Sequence, residues 1–310
     1  INQIIYYSTK TSGLKEINNL INNFLNEKNS FVFESVEKGV IKGRYTIFGR
    51  NPDKIWEFNN NECYIYKKNK KIKIKGGPKK NIQNLIESFK FKIPKGLPPI
   101  SALLSGYFSY DIIRYIENIP NSCIDDLKIP DARILRPRTL IVHDNYQQKI
   151  YYIENCFSDE KIRDYKKKFS SIENQINNLI FTSNYNSNII KPKFKKKIII
   201  KSNISKRKFI QNVIKAKKYI KIGDIFQVVL SQRFETDLTK SPVEIYKKLR
   251  INNPSPFMYF FNFDDFQIIG ASPEILVRLR NNNITIRPIA GTRPRGKSKK
   301  EDKYLKEIYK

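Results

Sequence analysis

The residues able to do chemistry gather between Thr285 and Gly296, where the sequence reads TIRPIAGTRPRG. Gly291 lets backbone approach a ligand closely, while Pro288 and Pro294 fix the path of the chain. Beside them stand the Thr292 hydroxyl and the guanidinium groups of Arg287, Arg293 and Arg295. Together these groups would seat a small anion by charge and hydrogen bonding. The same residue types also build ordinary strand-to-loop turns, so the stretch needs support from elsewhere. His143 is the only histidine and stands in the strand-like RTLIVHD, where a structural role is expected. Cys63, Cys123 and Cys156 are far apart, odd in number and without zinc spacing, which suits reduced thiols in a cytoplasm. A mechanism held wholly in these residues would have to use carboxylates, Lys, Thr or Tyr.

Positioning such groups takes a core, and 310 residues can bury one large core or two smaller ones. The 40% hydrophobic and 13% aromatic content argues for a folded chain. There is no run of 18 or more apolar residues, so no membrane span is expected, and the first residues lack a signal-peptide cleavage pattern. Both ends read as cut, and a fragment is expected. The formal net charge is +30, but Lys is spread throughout and accompanied by abundant Asn and Ile. All three have A/T-rich codons, so a biased genome accounts for the charge more simply than a nucleic-acid partner does. Diffuse lysine predicts weak polyanion binding that is lost as salt rises, with no specific nucleic acid.

Leu14, Ile17, Leu20, Ile21 and Phe24 share one face of a helix that begins after Ser12 and Gly13. Strands are expected at FVFESV (Phe31 to Val36), at GRYTIFG (Gly43 to Gly49), in a Lys-rich hairpin ECYIYKK/KIKIK, and at RTLIVHD and KIYYIEN. Glu34-Ser35 is unusual inside so apolar a strand. Gly106, between apolar runs, suggests backbone packed tightly on another element. A charged helix from Ser158 leads into a basic, low-complexity connector that ends near Lys208. Beyond it, Ser205 caps a helix whose Phe209, Ile210, Val213, Ile214 and Ile220 should be buried, and Gly223 ends it. DIFQVVLSQRF then predicts a strand buried on both faces. Ser241 with Glu244 forms a capping box, as does Ser298 with Glu301. Between those boxes FMYFFNF, FQIIG, EILVRLR and the opening stretch read as a meander of strands. The fold class is therefore α+β with mostly antiparallel sheets.

GDIFQVVLSQRF, NPSPFMYF, GASPEILVR and RPIAGTRPRG, in this order and spacing, resemble the chorismate-utilising enzymes. FVFESV, GRYTIFG and GYFSYDIIRY resemble the amino-terminal half of anthranilate synthase component I within that family. The resemblance covers essentially the whole chain apart from the basic connector. It implies an α/β/β/α sandwich, here incomplete at the C-terminus. The implied regions are 1–157 (the tryptophan-site half), 158–207 (charged helix and connector) and 208–310 (the start of the chorismate-binding domain).

The resemblance also implies a reaction: amination of chorismate at C2, departure of the C4 hydroxyl, and loss of pyruvate, with Mg²⁺ as cofactor. Glu274 matches the family's general acid, a role that calls for a carboxyl kept protonated by burial. Gly291 and Thr292 match its substrate contacts. Gln227 stands where water-adding members carry a lysine base, and Ala290 where aminodeoxychorismate synthases often carry a lysine nucleophile. Neither residue can do those jobs, which leaves ammonia attacking directly, the anthranilate reaction. Ser35, with Pro256, Phe257 and Met258, falls on the family's L-tryptophan feedback site, although Phe257 replaces a tyrosine. The magnesium-binding glutamates are expected beyond Lys310, so this piece alone should be inactive. Ammonia from glutamine calls for a glutamine amidotransferase partner, component II, in a heterotetramer. Two other readings stay open: an aminodeoxychorismate synthase component I, and a noncatalytic tryptophan-binding remnant.

Overall fold

Period-two alternation becomes strand along most of the first half, and its ladders are antiparallel, both in hairpins and between strands far apart in sequence. The computed structural model describes residues 2–11, 14–36, 43–67, 70–157, 171–172, 174–175, 177–180, 198–288 and 294–308. In chain order come β1 (Gln3–Lys10), α1 (Leu14–Phe24), β2 (Ser30–Glu34), β3 (Tyr45–Asn59), β4 (Glu62–Lys67), β5 (Lys70–Ile74), α2 (Pro78–Ser88), β6 (Ser105–Phe108), β7 (Ala132–Asp144) and β8 (Lys149–Cys156). There follow β9 (Lys201–Ser202), α3 (Lys206–Ile222), β10 (Phe234–Glu235), α4 (Pro242–Asn252), β11 (Phe257–Asn262), β12 (Gln267–Ser272), β13 (Arg278–Arg280), β14 (Asn283–Thr285) and α5 (Lys299–Ile308). The α+β class with antiparallel sheets is the one expected. Of the charged helix, the described residues between 171 and 180 are helical; most of the basic connector lies outside the described residues.

Two compact units result: Ile1–Ser183 with Tyr246–Lys310, and Asn184–Ile245. The first holds a ten-stranded sheet with the order β1-β8-β7-β3-β2-β11-β12, in which β4 pairs β3 and β5, and β6 pairs β7. Strands from distant parts of the chain thus share one sheet, because β2 pairs with β11. Directly opposed residues share a face. One cross-strand row runs Phe260, Val32, Phe48, Ile141 and Tyr152, all buried. The apolar face of α1 covers it, with the Phe24 and Phe48 rings edge-to-face at 5.7 Å, and Tyr246 of α4 meets Phe260 at 5.8 Å. The other face buries Phe31, Leu140, Val142, Ile153, Phe261 and Phe263. Gly106 does sit under tight packing: a Cβ there would lie 2.0 Å from the Arg133 carbonyl oxygen.

In the second unit the caps form as the sequence predicts. Ser205 Oγ accepts from the Lys208 N–H, and Gly223 closes α3 at φ 87°, a left-handed conformation that costs glycine little. The expected burial does not follow. Ile210 and Ile214 are exposed, and no residue of α3 is buried. DIFQVVLSQRF is not a buried strand either: only Phe234–Glu235 pairs, with β9, and Phe226 is 95% exposed. Caps close through neighbouring backbone, whereas burial and strand ladders need a second surface, and the described residues of this unit supply only the two-residue β9 ladder.

Candidate functional site

The two segments expected to form a feedback site meet. Met258 is paired with Glu34 at the end of the β2–β11 ladder, so Ser35 and Phe257 each adjoin that last pair along their own segments. The Val36 N–H donates to the Ser255 carbonyl at 3.1 Å, which closes the seam just beyond the ladder. Met258 is buried, Pro256 is half-buried and Phe257 is exposed. Ser35 Oγ is buried with no hydrogen-bond partner among the described residues. An unsatisfied hydroxyl beside an exposed aromatic ring and a proline is what a small amphipathic ligand would complete.

Behind that seam lies an ionic cluster that the sequence reading did not find. The Glu34 carboxylate is buried, and Arg250 Nε donates to both of its oxygens at 2.8 Å. Arg250 Nη2 lies 2.6 Å from Glu34 Oε1, and the Tyr246 hydroxyl donates to Oε2 at 2.9 Å. Burial first, and then the charge of Glu34, push the Tyr246 hydroxyl above its ordinary range, so it remains a proton donor. Both partners come from α4, four residues apart and therefore on one helical face. The available signal was Glu34 itself, a carboxylate in an apolar strand, which must find buried cations or donors. Lys247 Nζ also bonds Asn22 Oδ1, tying α4 to α1.

Glu274 lies on the loop after β12. Its N–H donates to Ser272 Oγ at 3.4 Å, and that hydroxyl donates to the Glu274 carbonyl at 3.1 Å. The residue is half-buried, so the burial expected of it is only partial. Gly291, Thr292 and Ala290 lie outside the described residues. Gln227 is exposed within the second unit. Arg295 pairs with Asp302 at 2.8 Å; the Gly296 N–H and then Arg295 hold that carboxylate below its usual range.

His143 is fully buried on β7, and burial lowers its pKa, which keeps the imidazole neutral. Among the described residues no group of three or more His, Cys, Asp or Glu side chains could hold a metal ion, and no helix is long and apolar enough to cross a membrane. A cavity of ≈ 530 Å³ opens elsewhere, lined by Asn60, Tyr107, Asp111, Arg114, Tyr115 and Asp131 among others. None of the residues singled out above as site residues lines it.

The family model described as chorismate binding enzyme matches residues 34–308. Anthranilate synthase component 1 of Cereibacter sphaeroides is 35% identical over 297 residues, which cover 89% of this chain and 56% of that protein. The Acetivibrio thermocellus protein of the same name is 38% identical over 282 residues, covering 89% and 57%. The crystal structure of anthranilate synthase component I from Streptococcus pneumoniae TIGR4 matches with a TM-score of 0.70 at 30% identity, covering 88% of this chain and 58% of that one. The chain thus spans less than three fifths of the length of these relatives.

Proposed function

The chain belongs to the chorismate binding enzyme family, and from that premise we propose that it is part of a component I of anthranilate synthase, a carbon–oxygen lyase of tryptophan biosynthesis. The observation that carries this reading is the reach of the likeness. Relatives named component 1 match 89% of the chain, and the family model runs from residue 34 to residue 308.

On this reading chorismate, a dianion, loses its C4 hydroxyl as ammonia enters at C2, and pyruvate then departs. Glu274 donates the proton to the leaving hydroxyl, Gly291 admits the substrate by close backbone approach, and Thr292 offers its hydroxyl. Gln227 cannot deprotonate water and Ala290 cannot form a covalent adduct, so neither hydration nor a lysine-linked intermediate competes. Mg²⁺ would supply charge neutralisation at the substrate carboxylates; its ligands are expected outside these residues. A glutaminase, component II, delivers ammonia in a heterotetramer, in the cytoplasm. Ser35, Pro256, Phe257 and Met258 form an effector seat for L-tryptophan, a reading supported by the unsatisfied Ser35 hydroxyl at the seam.

The test is turnover by the full-length gene product that contains these residues. Chorismate, Mg²⁺ and an ammonium salt should give anthranilate, detected by its fluorescence and mass, and Glu274→Gln should lower the rate by about 10²–10⁴-fold. Aminodeoxychorismate as the product would overturn the assignment. Residues 1–310 alone should show no turnover.

A further inference from the structure

We propose that Tyr246 and Arg250 are positioning residues that latch α4 to the effector seat through Glu34, so that a ligand in the seat is felt along α4. The inference rests on the seat reading above and adds the route by which occupancy leaves it. Three features carry it. First, Glu34 directly precedes Ser35, and its buried carboxylate takes every hydrogen bond described for it from α4: Arg250 Nε reaches both oxygens and the Tyr246 hydroxyl reaches Oε2. Second, α4 ends at Asn252, and only residues 253–256 separate it from Phe257 at the start of β11. The helix is thus joined to one strand of the seat by covalent chain and to the other by the ionic clamp. Third, the contact between the Val36 N–H and the Ser255 carbonyl pins that short connection to the end of β2.

A ligand that draws Ser35 toward Phe257 must therefore carry Glu34, and with it the last two turns of α4. The helix start is held independently by its capping box, in which Ser241 Oγ accepts from the Glu244 N–H and Glu244 Oε2 accepts from the Ser241 N–H. The clamp is also stiff. A buried carboxylate cannot exchange its donors for water without a large desolvation cost, so its partners move with it. By reciprocity, loosening the clamp must weaken ligand binding as much as ligand binding tightens the clamp.

Hydrogen exchange of the amides of residues 246–252, read by mass spectrometry with and without saturating L-tryptophan on the full chain, tests the latch. In the natural protein the ligand should slow exchange by about tenfold. Tyr246→Phe, which keeps the ring on Phe260 and removes one donor, should still bind at saturation but show a slowing below about threefold. Glu34→Gln should abolish the slowing, and Tyr246→Phe keeps the test open if that variant fails to fold. Equal slowing in the natural protein and in Tyr246→Phe, or slowing confined to residues 253–258, would overturn the latch while leaving the seat intact. Absence of any calorimetric heat with L-tryptophan in the natural protein overturns the seat and the latch together.

Discussion

The β2–β11 seam and the α3 unit start from the same kind of sequence signal and end differently. In both, apolar residues recur at the period of their element, and capping residues stand where the sequence predicts. At the seam those residues are buried: Val32, Phe48, Ile141 and Phe260 are closed off between strands and beneath α1 and α4. In α3 the equivalent stripe lies open, with Ile214 51% and Ile220 44% exposed. Amphipathic pattern declares that a face is suited to burial, but whether it is buried depends on a partner surface that the pattern does not name. The β13–β14 ladder repeats the point, since Leu279 opposes Ile284 and both are more than two thirds exposed.

Mutation should widen that contrast. Phe48→Ala removes a ring from the closed row and should cost roughly 3–5 kcal/mol in urea unfolding, whereas Ile214→Ala in α3 should stay within about 0.5 kcal/mol. Comparable losses at the two positions would mean that the α3 stripe is covered in solution. Arg250→Met should come next, at about 3 kcal/mol, because it strands the buried Glu34 carboxylate. The paired change with Glu34→Leu should recover part of the loss; an additive result would show that the two side chains do not share one interaction.

The smallest effect is a pH slope. Burial holds the folded His143 below its unfolded pKa, so as pH falls through about 6.5 the unfolded chain takes up a proton that the folded chain refuses. Stability should therefore fall by up to about 1.4 kcal/mol per pH unit between that point and the folded pKa. His143→Gln should flatten this part of the profile, and an unchanged slope would assign it to other groups.

Much of the fold was legible in advance because its signals are local. The α1 stripe, the Ser205 and Ser241 caps, the Gly223 stop and the hairpin strands each depend on neighbours within a turn or two. The strand at DIFQVVLSQRF was misread because an apolar run reports suitability for a ladder, and a ladder needs a partner strand. At the site, the meeting of Ser35 with Pro256–Met258 was foreseen only through family resemblance. Tyr246 and Arg250 were missed because nothing within a helix states which distant carboxylate it will face.

The sequence by itself determined the α+β class, the helix ends and the motif set of the chorismate binding enzymes. These are properties of short segments, governed by backbone geometry, capping and side-chain reactivity. Tertiary structure alone decided that β2 lies against β11, that Glu34 is neutralised by α4, and that the α3 stripe is open while the α1 stripe is closed. Pairings across more than two hundred residues depend on loop closure and on competition among apolar surfaces, and no local pattern encodes either.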